Sequence, residues 1–272
     1  MKRIVIALVI ALLGGAVNAQ DFKGVATYQT KTTLDMNGFG GREMSEQMKK
    51  QIAERMKSML EKTYTLSFNK TESVYEEEAK LETPGAGGMR FMGGGFSQGP
   101  VYKNVVENLY SRENELMGKQ FLVKDSLPNL DWKLEKESKM IGQYAAFKAT
   151  ATKSSEGTFR FRPRREQDST ENDEPKTELV TVWYTPQIPV NQGPDEYWGL
   201  PGLILEVQFG NTVIICNKIV LNPKEEITIT KPKKGEEVTR EEYAQTVKEK
   251  TEEMRERYSG GRNRGGFHRG GQ

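Results

Sequence analysis

Histidine and cysteine are almost missing: the 272 residues hold one of each, His268 and Cys216. His268 sits in the Gly- and Arg-rich end GGRNRGGFHRGGQ, where no packing or hydrogen-bonded neighbour would orient an imidazole. That removes most readings based on Ser-His-Asp, Cys-His or His-ligated zinc chemistry. One thiol cannot close an internal disulfide, so stability has to come from an ordinary core. Cys216 lies in the strand-like run Thr212 to Val220 and reads as a buried small hydrophobe rather than a reactive thiol. Long apolar runs are missing too. The run Ile4 to Leu13 is too short to span a bilayer; preceded by Lys2 and Arg3 and followed by Val17-Asn18-Ala19, it reads as a removable secretory signal over residues 1–19. The expectation is an exported chain, periplasmic or associated with the outer envelope, that starts at Gln20 and does not span the membrane once the signal is removed. Loss of Lys2 and Arg3 takes the 40 basic residues to 38, against 38 acidic ones, so the pI of 8.4 overstates how basic the mature chain is. A chain without net charge gives no general argument for nucleic acid or an anionic membrane as partner.

What is present is mostly strand-like. Phe22 to Thr30 is rich in strand formers, Tyr64, Leu66 and Phe68 alternate with polar neighbours, and further strands are expected near Ser73 to Tyr75, Val101 to Ser111, Lys119 to Lys124, Trp132 to Glu137, Tyr144 to Thr152 and Leu179 to Tyr184. Leu203 to Phe209 and Thr212 to Leu221, joined at Gly210-Asn211, form the clearest hairpin. Short strands with no long helices between them argue for antiparallel pairing. The expected fold is mainly β with α: a curved antiparallel sheet or half-open barrel, one amphipathic helix from Glu43 to Glu61, and a C-terminal helix. The single β domain covers 20–232, with loops at 84–100 and 159–178, where FRFRPRR is followed by an acidic stretch of opposite charge. The C-terminal helix is placed at 233–258, with a capping box at Thr239 and Glu242, and the tail 259–272 is low in complexity.

Candidate chemistry is sparse. Met44, Met48, Ile52, Met56, Met59 and Leu60 recur at helical spacing. In an exported protein several thioethers could hold Cu(I), but Met mixed with Ile and Leu on one face fits an adaptable apolar groove better. Met44, Met48 and Met56 are therefore candidates for binding an acyl chain or a peptide. Paired carboxylates for an enzyme cannot be located from spacing alone. No cofactor and no metal site is expected.

The densest motif is WYTPQIPVNQGPDEYWGLPGLILE, residues 183–206. Pro189 and Pro194 remove donors and restrict φ, Gly193 and Gly199 permit positive φ, and Pro201-Gly202 suits the centre of a type II turn that feeds Leu203, Ile204, Leu205 and Val207 into a sheet. A phosphate-cradling loop would open a helix and place a Lys, neither of which occurs here. Trp183, Tyr184, Tyr197 and Trp198 crowd the motif and are the candidate recognition surface. The order Trp183-Tyr184-Thr185, Ile188-Pro189-Val190, Gly193-Pro194 and Gly199-Leu200-Pro201-Gly202-Leu203-Ile204, then Glu206, resembles the GLPGLI family of exported Bacteroidetes proteins. Trp132-Lys133-Leu134, Ile141-Gly142, Tyr144 and Lys148-Ala149 are similar to its second recurring block. The resemblance implies a family of unknown function, with no catalytic residues to carry over. The reading is a non-catalytic envelope protein that binds a protein partner or an apolar ligand; a lipid or lipoprotein carrier, a carboxylate enzyme and a soft-metal binder are the alternatives.

Overall fold

The computed structural model describes residues 22–33, 45–78, 96–154 and 177–262. The expected signal at 1–19, Met44, residues 84–95 and 159–176 of the two loops, and residues 263–272 of the tail lie outside them.

Among the described residues, twelve strands form one sheet, in the order β12-β6-β5-β4-β3-β2-β1-β11-β10-β9-β8-β7. In chain order they are β1 (Lys23–Thr32), β2 (Glu61–Asn69), β3 (Glu72–Glu77), β4 (Phe96–Asn104), β5 (Leu109–Leu116), β6 (Lys119–Ser126), β7 (Lys133–Ile141), β8 (Tyr144–Ser154), β9 (Thr177–Thr185), β10 (Leu203–Phe209), β11 (Thr212–Leu221) and β12 (Glu236–Val238). Every pairing is antiparallel except β12 with β6. The sheet is open, with β12 and β7 at its edges. The chain blunts both. β12 is only Glu236–Val238, and β7 carries a register shift between Leu134 and Ser138 along with Lys133, Lys136 and Lys139, features that discourage edge-to-edge pairing.

Sequence reading located most strands and differed from the structure at several boundaries. Val101 to Ser111 is two strands, because Asn108 takes a left-handed φ of 53° and turns the chain between β4 and β5. Residues 96–100, expected in the Gly-rich loop, belong to β4, and Thr177 and Glu178 belong to β9 rather than to the preceding insertion. The hairpin of β10 and β11 is as expected, with Gly210 at φ 50° in its two-residue turn.

Helix α1 (Glu46–Leu60) is capped by Ser45, whose Oγ accepts the Met48 N–H at 3.3 Å, with Glu46 in its first turn and Lys57 in its last. It runs straight into β2, since the residue that ends it, Glu61, is the first of the strand. Helix α2 (Arg240–Arg262) starts at a reciprocal capping box: the Glu242 N–H donates to Thr239 Oγ1 at 3.2 Å and the Thr239 N–H donates to Glu242 Oε2 at 2.7 Å. The helix expected from residue 233 therefore begins only at Arg240. Residues 236–238 are spent as strand β12 instead, because β6 offers them an unpaired edge.

Cross-strand register defines an inner face of the sheet. Tyr28 pairs with Tyr64, Leu66 with Tyr75, Ser73 with Lys103, Val101 with Arg112, and Ala149 with Val182, so these residues share a side. Tyr28, Leu66, Phe68, Ala149 and Val182 have no exposed surface. Each large apolar side chain buried in this way contributes about 1.5–3 kcal/mol relative to exposure. The sheet curls about that face. Glu196 pairs with Lys153 on β8 and with Arg240 at the start of α2, whose Tyr243 rests on Phe121 of β6, although β8 and β6 lie next to opposite edges.

Candidate functional site

The space inside the curl is occupied by the chain's own segment 186–202, the link between β9 and β10. Ile188, Val190, Tyr197 and Leu200 are each 0–1% exposed within it. Its path is set by tight turns with proline at their centres: the Val190 N–H donates to Ile188 O at 2.9 Å around Pro189, and the Gly202 N–H to Leu200 O at 2.8 Å around Pro201. These are three-residue turns, and the φ that proline imposes suits their central position.

The type II turn expected at Pro201-Gly202 does not form, because Gly202 lacks the positive φ that its third position demands. Gly202 is required for a different reason: a Cβ there would lie 2.2 Å from Thr185 O and 2.5 Å from Thr185 C, so two backbones touch where the segment re-enters the sheet. Gly193 also lacks positive φ, and a Cβ on it would stand 2.8 Å from Ile204 Cδ1 and 2.9 Å from Tyr197 O. Within this segment Gly199, with φ 91°, is the glycine whose conformational freedom the chain uses. Leu203 and Ile204 then enter β10 with no exposed surface.

Lys103 of β4 points into this segment and has no exposed surface. Its ammonium donates to Gly193 O at 2.6 Å, Asp195 O at 2.7 Å and Tyr197 O at 3.0 Å, which uses all three of its hydrogens. Burial pushes its pKa down to about 7, while Asp195 and Glu196 act to raise it and Arg112 adds to the lowering. Asp195 holds the left-handed φ of 49° and salt-bridges Arg112 of β5, whose guanidinium is held in its charged form by that carboxylate despite burial. Alongside, Ser73 Oγ donates to Gln192 Oε1 at 2.7 Å. A buried lysine with a lowered pKa is the kind of group that serves as a base or forms a Schiff base. Here three carbonyls of the segment surround the nitrogen and tie it to Gly193, Asp195 and Tyr197.

The sequence-derived candidates separate. Tyr197 is 1% exposed and Tyr184 6%, so neither offers a recognition face; both are core, packed against Phe209 and Phe147 respectively. Trp198 is partly buried and donates its indole N–H to Pro128 O at 2.7 Å, while Trp132 donates its own to Trp198 O at 2.8 Å. These tryptophans fasten segment 186–202 to the link between β6 and β7. Trp183 faces the other side of the sheet, with the Lys139 ammonium 4.3 Å from its ring centroid. Lys139 also reaches Glu206 Oε2 at 2.6 Å, and Glu206 is 5% exposed. The four aromatic residues therefore do not make one surface. Met48 is 52% exposed on α1, and Met56 lies on the same helix.

Lys103, Arg112, Asp195 and Glu196 were missed by reading motifs. Parity carried the one available signal: Val101 and Lys103 are two apart in a strand, so an inward valine places the lysine inward too. Cys216 is half-buried rather than fully enclosed, and burial pushes its thiol up to about 12. The native thiol should react with a maleimide at pH 8 at least about 100-fold more slowly than in urea-unfolded protein, as a free cysteine titrates near 8.5; equal rates in a stopped-flow comparison would contradict that burial. Among the described residues, no group of three or more His, Cys, Asp or Glu could hold a metal ion, and no helix is long and apolar enough to cross a membrane.

Residues 132–206 match the model of a family described as proteins of unknown function (Porph_ging). That span, less than half the chain, starts at the Trp132 that binds Trp198 and ends at the Glu206 that binds Lys139, so it includes β7, β8, β9 and the whole inserted segment. No curated protein matches. Among solved structures, the chain is similar to PNGF-II in two crystal forms. The C2 form gives a TM-score of 0.48 at 14% identity over 84% of this chain and 33% of that one, and the P21 form 0.43 at 14% over 75% and 29%. The chain thus spans about a third of PNGF-II, and similarity at this level carries no inference about activity.

Proposed function

We propose that this chain is a non-catalytic, exported envelope protein of the GLPGLI type that binds a protein partner through the outside of its curled sheet. The observation that carries this reading is the inserted segment 186–202, which places Ile188, Val190, Tyr197 and Leu200 where an acyl chain would have to lie in a carrier. A filled interior favours a scaffold over a carrier, since a ligand would have to displace well-packed side chains and the three carbonyl contacts of Lys103. The full use of the Lys103 hydrogens favours binding over catalysis.

The test is photo-crosslinking in the intact envelope of the native host, from residues on the outer side such as Leu179 and Val213, which are 62% and 37% exposed. The expected result is one protein crosslinked reproducibly from both positions, with no co-purifying lipid by native mass spectrometry. Stoichiometric lipid in the purified protein would replace this reading with that of a carrier.

A further inference from the structure

After β11 the chain does not stop at the sheet; it wraps around it. Lys231 lies 5.9 Å from the Tyr102 ring, Pro232 is buried, and the N–H groups of Lys233 and Lys234 both donate to Glu113 Oε1 at 3.1 Å. Tyr102 and Glu113 alternate with the inward Lys103 and Arg112, so this stretch runs along the outer side. It then rounds the edge at Gly235, whose φ is 112° and whose Cβ, if present, would lie 2.6 Å from Phe121 C and 2.7 Å from Phe121 N. β12 follows on β6, and α2 begins on the inner side: Arg240 sits 3.8 Å above the Tyr110 ring and reaches Glu196 at 3.4 Å, and Tyr243 packs edge-on against Phe121 at 5.5 Å. Residues 231–243 form a strap that ends on the carboxylate joining the two sides of the curl.

The strap is attached lightly. Its ladder is three residues of parallel pairing at an edge, and the ion pairs along β12, Lys119 with Glu236 and Lys124 with Glu237, are exposed enough to be screened by salt, which leaves Arg240 with Glu196 as its one more enclosed ion pair among the described residues. Arg240 Nε and Nη2 are enclosed with no hydrogen-bond partner among the described residues, which disfavours the closed arrangement. The core under β1 and β10, by contrast, has no exposed apolar surface at Ala26, Tyr28, Leu203 or Ile204. We propose that residues 231–243 are a detachable strap that opens while the sheet stays folded, and that its closure holds Glu196 and segment 192–199 in place. Release uncovers Tyr110, Phe121 and Glu196 together, an aromatic and acidic patch that exists only in the open form.

Hydrogen exchange on the full chain tests this. In the wild type, amides 236–244 should exchange at least about tenfold faster than those of β1 and β10, a difference of ~1.4 kcal/mol in opening free energy, and the gap should widen with added salt. Gly235→Ala, which cannot seat against Phe121, and Arg240→Gln, which loses its charge contact with Glu196, should both accelerate exchange at 192–199 and leave β1 and β10 unchanged. Exchange of 236–244 in step with β1 and β10, or no effect of either variant at 192–199, would overturn the proposal. So would a loss of protection spread over the whole sheet, because the strap would then belong to one cooperative unit with it.

Discussion

Gly202→Ala is expected to destabilise the protein more than any other glycine-to-alanine change in segment 186–202. The added methyl would lie 2.2 Å from Thr185 O, 2.5 Å from Thr185 C and 2.8 Å from Pro186 N. All three are backbone atoms at the junction where the segment leaves β9, so no side-chain rotation relieves the overlap. Thr185 also pairs with Leu203 across the ladder, and moving it would break the register at the start of β10. Overpacking in a core costs about 1–3 kcal/mol where side chains can shift; with backbone on both sides the loss should be at least ~3 kcal/mol, a large part of the stability of an ordinary domain. Gly199→Ala is the informative comparison. Its nearest neighbour would be Trp132 Nε1 at 3.9 Å, so space is free and only the φ of 91° penalises it, by about 1–2 kcal/mol. Urea midpoints for the two variants should fall in that order. A Gly202→Ala midpoint at or above that of Gly199→Ala would show that the close approach of the two backbones is not what requires glycine there.

Lys103→Met should cost about as much, for an electrostatic reason. Methionine keeps most of the buried chain length and removes the ammonium, leaving the carbonyls of Gly193, Asp195 and Tyr197 in the interior without the donor that now joins them. At ~1–3 kcal/mol for each buried polar group left unsatisfied, the loss is about 3 kcal/mol or more. The pH dependence separates this from a simple packing defect. Burial lowers the folded-state pKa of Lys103 to about 7, so between about pH 7 and 10 the unfolded chain binds more protons at this residue than the folded one. The Lys103 contribution to stability therefore rises with pH across that window. In Lys103→Met it should be missing, and the gap between wild type and variant should widen from pH 7 to 10. Above pH 10 the buried tyrosines lower the stability of both proteins. Burial raises the pKa of Tyr28, Tyr75 and Tyr197, so stability present below pH 10 is lost as the unfolded phenols ionise. Urea titrations at three pH values would decide; a gap that stays constant from pH 7 to 10 would mean that Lys103 remains charged throughout.

Reading by residue type succeeded where the controlling interaction is local. The alternation in β2, the Gly210-Asn211 turn and the Thr239 capping box each depend on neighbours within a few positions, and each is found where expected. It failed where a residue answers to a distant part of the chain. Pro201-Gly202 has the composition of a type II turn, yet Thr185 approaches so closely that the glycine serves clearance instead. Tyr197 and Trp198 look like an exposed aromatic pair in a polar loop, yet one is buried in the core and the other is bound to Pro128. Lys103 is one polar residue in a strand of mixed character, and nothing within ten positions announces the three carbonyls, ninety or more residues away, that it joins.

By itself the sequence determined the mainly β character of this protein, the positions of most strands and both helices, and the motif around Gly199 to Ile204, because period, turn chemistry and caps are properties of short stretches. Only the tertiary structure decided that the motif turns inward, that the sheet curls until Glu196 reaches Lys153 and Arg240 together, and that a buried lysine fastens the filling. Those contacts link residues far apart in the chain. They are settled by which surfaces the curl brings together, and by the need to give every charge enclosed there a partner.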